Sequence, residues 1–176
     1  KYGELFKLRA EQPFDVIAID TVSGFTEGSS RRHMHLAIDL FSRYAWVTTS
    51  RTHTHSDACN LISHILNDGH PRVILTDSYS VFTSPRFQEH LARNGIDLIH
   101  SPPNHPSSNG LVERLNQKLV TKMRAVFADP RNPIKNWARL AHGCVEQYNN
   151  LVHSVTGCSP SYLLFGRNAF NLPESE

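Results

Sequence analysis

The sequence predicts a single α/β domain whose mixed sheet is covered by helices on both faces. Short apolar runs rich in β-branched residues alternate with segments of helical periodicity. The first three runs follow one another through turn-rich connections, as in a meander, and the later ones are separated by helices. The 176 residues contain no internal repeat or low-complexity stretch, and that length suffices for one core.

In chain order, FDVIAID (14–20) reads as a buried strand ending in an aspartate, followed by the turn-rich TVSGFTEGSSRR. HMHLAIDL (33–40) and YAWVTTS (44–50) are two further strands joined across FSR. Ala58, Leu61, Ile62, Ile65 and Leu66 share a helix face over 56–68, with Ser56 or Asp57 as cap and Gly69 as stop. RVILTD (72–77) is again a short apolar strand ending in an aspartate. In SPRFQEHLARNG (84–95), Ser84 suits an N-cap, Pro85 the first turn and Gly95 the stop of a small helix. IDLIH (96–100) is a fifth strand. A long helix over 108–127 places Val112, Leu115, Leu119, Met123 and Val126 on one side. Past Asp129-Pro130 and Asn132-Pro133, residues Ile134 to Tyr148 mark another amphipathic helix. Residues 1–168 are expected to form the domain and 169–176 to begin a linker.

Bulk properties exclude little. No apolar run is long enough to span a membrane, and the polar start lacks a signal-peptide pattern. The opening Lys1 reads as a piece of a longer chain. A formal charge of +2 does not announce a nucleic-acid partner unless basic residues gather on one face. Three separated cysteines form no disulfide framework and favour a reducing compartment. His53 and His55 lack a second pair at zinc-ligand spacing, so the helix-approach reading is preferred there.

Chemistry is suggested by Asp20 and Asp77, both at carboxyl ends of strands, where ligands of open α/β sheets collect. If their strands are neighbours, the two carboxylates converge. Glu113, one turn into the long helix, closes the cluster. Such carboxylates repel unless cations sit among them, and hard oxygen donors suit magnesium or manganese. Each acid alone is better read as a turn or helix-start residue.

The combination is more particular. Asp77 and Glu113 are separated by 35 residues (113 − 77 − 1), and HPSSNGLVERLN and TGCSPSYLLFGR follow in order. These motifs resemble the catalytic core of retroviral and gypsy-type retrotransposon integrases over about 12–168. The resemblance implies a ribonuclease H-like fold with a five-stranded mixed sheet. It also implies a metal-dependent polynucleotidyl transferase whose triad is Asp20, Asp77 and Glu113, with Mg2+ or Mn2+. Its reaction would trim DNA 3′ ends and join them to target DNA. Implied partners are element and target DNA and further copies of the chain, acting in the nucleus, with no small-molecule substrate.

Within the same motif, His105 and Asn109 are expected DNA contacts, and Asn116 a support for the site. Arg114, Lys118 and Lys122 recur at i, i+4 and i+8 as a basic ridge. Periodicity leaves a solvated face and a phosphate track open, and a neighbouring triad favours the track. Asp39 matches a structural acid of the family. Two departures are Tyr79 where the family carries glycine and Ser107 where glutamine is common. They fit a diverged element or a domesticated DNA-binding domain, and a transposase with a similar triad is the third reading. The zinc-binding and basic domains that flank a complete integrase core are not recognised in these residues.

Overall fold

The computed structural model describes residues 8–26, 28–78, 81–101 and 106–166, without the side chains of 106–109. Five strands form one sheet in the order β3-β2-β1-β4-β5. They are β1 (Val16–Ser23), β2 (His33–Asp39), β3 (Ala45–Ser50), β4 (Val73–Thr76) and β5 (Asp97–His100). The first three pair antiparallel, and β4 and β5 run parallel to β1. The helices are α1 (His55–Asp68), α2 (Pro85–Arg93), α3 (Pro106–Ala128), α4 (Trp137–Asn150) and α5 (Pro160–Phe165). None among the described residues is long and apolar enough to cross a membrane.

Strand alternation sorts the core into two layers. Val16 and Ala18 of β1 face Val112, Leu115, Leu119 and Met123 of α3 and Trp137 and Ala141 of α4. Ile17 and Ile19 face Leu61, Ile62 and Ile65 of α1 and Phe87 and Leu91 of α2. Both faces of the central strands are covered, which explains why their sequences are continuous apolar runs.

Several boundaries differ from the expected ones, each for a local reason. β1 continues three residues past Asp20, because its antiparallel register with β2 runs on to Ser23 opposite His33. α1 is capped by Thr54, whose backbone N–H donates to Asp57 Oδ2 at 2.8 Å, so Asp57 lies inside the helix as the returning partner. α3 starts at Pro106, a residue that fits a first turn, which puts Glu113 about two turns in. α5 was not foreseen, although Ser159-Pro160 repeats the Ser84-Pro85 start: Ser84 accepts from Phe87 N–H and Ser159 from Tyr162 N–H, each at 3.2 Å. The expected linker, 169–176, lies outside the described residues.

β3 is an edge strand whose outward backbone is occupied at two places. Asn149 of α4 accepts from Ala45 N–H and donates to Ala45 C=O, both at 2.8 Å, as a neighbouring strand would. The Arg31 guanidinium donates to Thr49 C=O.

Candidate active site

The ladder between β1 and β4 pairs Val16 with Val73 and ends at Ala18 beside Leu75. Two residues further along each chain are Asp20 and Asp77, so the register sets them side by side just beyond the ladder. Asp20 has the parity of Val16 and Ala18, the residues packed under α3. Asn116 of α3 is buried there, and its Nδ2 donates to Asp20 Oδ2 at 2.6 Å. Glu113 precedes Asn116 by three positions and so shares its side of the helix. The sheet and one helix thus bring all three expected acids to one end of the molecule.

Electrostatics agree with that placement. Burial, with the like charges of Asp77 and Glu113, pushes the Asp20 carboxyl up to about 6, against the stabilising N–H of Thr21 and the Asn116 amide. The Thr21 bond to Asp20 Oδ1 measures 2.8 Å. Asp77 and Glu113 are both exposed, so the cluster is open on the side away from the sheet.

Magnesium or manganese is the cation that such a donor set implies. Among the described residues, no three histidine, cysteine or acidic side chains lie close enough together to hold one ion. The two aspartates fit it better: a carboxyl raised by burial and then by like charge gains from a cation beside it. Beside it, buried Asn116 Oδ1 has no hydrogen-bond partner, while flipping the amide would set that oxygen against Asp20. A cation or its hydration water would satisfy this acceptor. Glu113 would have to move inward to join.

Two histidines that sequence motifs did not single out stand behind the aspartates. His35 is the cross-strand neighbour of Thr21, and its Nδ1 lies 2.9 Å from Thr21 Oγ1. His35 Nε2 reaches Ser50 Oγ at 2.7 Å, and Ser50 in turn donates to Thr52 C=O, which makes Nε2 the donor and Nδ1 the acceptor. Burial, and then His53, hold the His35 imidazole down at about 4. On the other side, His100 is the neighbour of Thr76 across β4 and β5. Only strand register could reveal either pair, since Thr21 and His35 are 14 residues apart and Thr76 and His100 are 24 apart.

Asp39 lies away from this cluster, wholly buried, with Oδ2 accepting from Ser42 Oγ at 2.6 Å in the turn to β3. Arg114 and Lys118 are exposed on α3, whereas the half-buried Lys122 ammonium donates to Gln147 of α4. The Arg114 guanidinium folds back over Gly110, where a Cβ would meet it at 3.2 Å. Tyr79, His105 and the side chains of Ser107 and Asn109 lie outside the described residues.

This sheet order, with one acid within β1 and the other just past the carboxyl end of neighbouring β4, defines a ribonuclease H-like α/β fold. The chain belongs to the integrase core domain family, whose pattern matches residues 10–106 and so includes Asp20 and Asp77. The Pro-Pol polyprotein of feline foamy virus is 28% identical over 165 residues, 92% of this chain and 14% of the polyprotein. The transposon Tf2-3 polyprotein of Schizosaccharomyces pombe is 25% identical over 163 residues, 90% of this chain and 12% of that polyprotein. The chain therefore spans only a small part of these relatives. Among solved structures, a chain of the simian T-cell lymphotropic virus intasome in complex with the PP2A regulatory subunit B56 gamma superposes with a TM-score of 0.79. It is 26% identical, with 96% of this chain and 60% of that chain covered. The HTLV-2 integrase catalytic core domain in complex with magnesium gives 0.72 at 21% identity, covering 88% of this chain and 99% of that one, which shows the fold.

Proposed function

We propose that this domain is the catalytic core of a DNA integrase, a polynucleotidyl transferase that trims 3′ ends and joins them to target DNA. The observation that supports the reading is the register that sets Asp20 beside Asp77, with Asn116 bonded to Asp20, within an integrase core domain. Asp20, Asp77 and, once it turns inward, Glu113 would hold magnesium or manganese. Bound there, such ions activate an attacking oxygen and stabilise the departing one in an in-line phosphoryl displacement.

The chain's own residues do the positioning. Thr21 N–H and the Asn116 amide grip both oxygens of Asp20, so its carboxylate keeps one orientation as DNA arrives. Arg114 and Lys118 present charge for phosphates, with Lys122 available on leaving Gln147, and His105 and Asn109 of the same motif are the further DNA contacts proposed. The substrates would be element ends and target DNA in the nucleus, handled by more than one copy of the chain.

A manganese-dependent strand-transfer reversal on a branched oligonucleotide tests this. Activity that disappears in Asp20→Asn is expected. DNA binding without any cleavage or joining in the wild type would leave a domesticated binding module instead.

A further inference from the structure

His100, the last residue of β5, has no part in the proposed chemistry, yet it touches the main chain of Asp77. Its Nδ1 lies 2.9 Å from Thr76 Oγ1 and 3.2 Å from the Asp77 carbonyl oxygen. Thr76 Oγ1 donates to that same carbonyl at 2.8 Å. A carbonyl oxygen only accepts, and the threonine has one proton to give it. The Thr76 oxygen is therefore the acceptor toward His100, and Nδ1 carries a hydrogen. A bare Nδ1 would instead set two lone pairs against each other at 3.2 Å. One residue on, Ser101 N–H donates to the Thr76 carbonyl at 2.7 Å. The carbonyls on either side of the Asp77 Cα are thus both held from the end of β5.

Those two peptide groups set the backbone torsions of Asp77, and hence the direction in which its side chain leaves the strand. Asp77 lies one residue beyond the last hydrogen-bonded position of β4, where the ladder no longer imposes a direction. We propose that His100 is a positioning residue: its Nδ1–H, with the Thr76 hydroxyl, locks the main chain of Asp77 and aims its carboxylate at a cation shared with Asp20. The proposal rests on the metal-dependent reading above. It concerns only the group behind the ligand, whose loss in metal sites generally costs about 10–100-fold in affinity or activity.

The experiment compares wild type with His100→Ala, His100→Asn and His100→Gln. An asparagine places its amide N–H near the position of Nδ1–H, and a glutamine reaches toward that of Nε2. Calorimetry with Mn2+ should show binding weakened about 10–100-fold in His100→Ala, largely recovered in His100→Asn and not in His100→Gln. Long-range proton–nitrogen spectra should show His100 protonated at Nδ1. Equal Mn2+ affinity in wild type and His100→Ala would overturn the proposal, as would a neutral ring protonated at Nε2. Equal weakening in the alanine and asparagine variants would reduce His100 to packing and also overturn it. Failure of the wild type to bind Mn2+ would sink the metal reading. In that case the ring spectrum, together with the carbonyl carbon shift of Asp77 in His100→Ala, still decides the lock: an unmoved shift refutes it.

Discussion

Asp20 and Asp77 stand beside each other at the same end of the sheet, yet the chain holds them differently. Asp20 sits within β1, partly buried, and both its oxygens are gripped by donors, one from the next backbone N–H and one from a helix amide. Asp77 lies just past β4, exposed, with bonds from neighbouring residues to the carbonyls on either side of its Cα. Behind each stands a threonine and its cross-strand histidine, in opposite tautomers: His35 accepts at Nδ1, and His100 donates from it. The contrast teaches that a carboxylate can be aimed directly at its oxygens, at the cost of desolvation, or with the help of bonds to its own backbone.

The comparison breaks most completely when a proposed ligand itself is lost. Asp20→Asn should abolish Mn2+ binding by calorimetry. Glu113→Gln should lower strand-transfer reversal by more than the roughly 10²–10³ of a single lost oxyanion donor, since placement of an ion goes with it. Retention of near-normal rate in Glu113→Gln would remove Glu113 from the triad. A smaller loss follows from the direct grip: Asn116→Ala frees one Asp20 oxygen and should weaken Mn2+ binding about 10-fold or more. Unchanged affinity there would show that the Thr21 N–H alone suffices.

Titration separates Asp20 from the histidine behind it. Asp20, raised from 3.8 to about 6, leaves the native state holding more protons than the unfolded chain across that window. Its contribution to stability is therefore present at low pH and lost as pH rises through about 6. His35, lowered from 6.5 to about 4, does the reverse: the unfolded chain takes up its proton first, so stability falls as pH drops from 6.5 to about 4. The two slopes oppose each other. Relative to wild type in metal-free buffer, Asp20→Asn should gain on the order of 2 kcal/mol between pH 4 and 6. His35→Gln should lose ground over the same range. Thermal melts across that range check both, and parallel curves for all three proteins would rule out this opposition.

The basic ridge carries the smallest effects. Neutralising Arg114 or Lys118 should flatten the slope of log K against log salt for DNA binding by about 0.9 each. Lys122 should give less, because its ammonium is already engaged by Gln147. Salt titrations on each single variant measure this, and an unchanged slope for Arg114 and Lys118 together would return them to a solvated face.

Much of this was legible in the sequence, because the signals were local. Ile17, Ile19, Ile74 and Leu75 made continuous apolar runs since both sheet faces are covered. Ser84 with Pro85 marked a helix start, and the spacing of Asp77 and Glu113 with their motif pointed to the acids. The rest depended on pairing across the sheet. The extension of β1 past Asp20 comes from β2, and the histidines behind the aspartates are neighbours only through register. α5 was passed over although its Ser159-Pro160 start was readable. A six-residue helix is too short for a periodic pattern to draw attention.

The side-chain amide of Asn149 has a consequence for how the molecule behaves in company. An edge strand normally offers its free N–H and C=O groups as a template for another chain, which is how folded domains are recruited into fibrous aggregates. Here the rung at Ala45 is filled by Asn149, and the Thr49 carbonyl by Arg31. A foreign strand would have to displace both, one at each side of Val47. A second copy meeting this one along β3 would extend the sheet through those two positions only by breaking these bonds. Both contacts work against polymerisation along this edge.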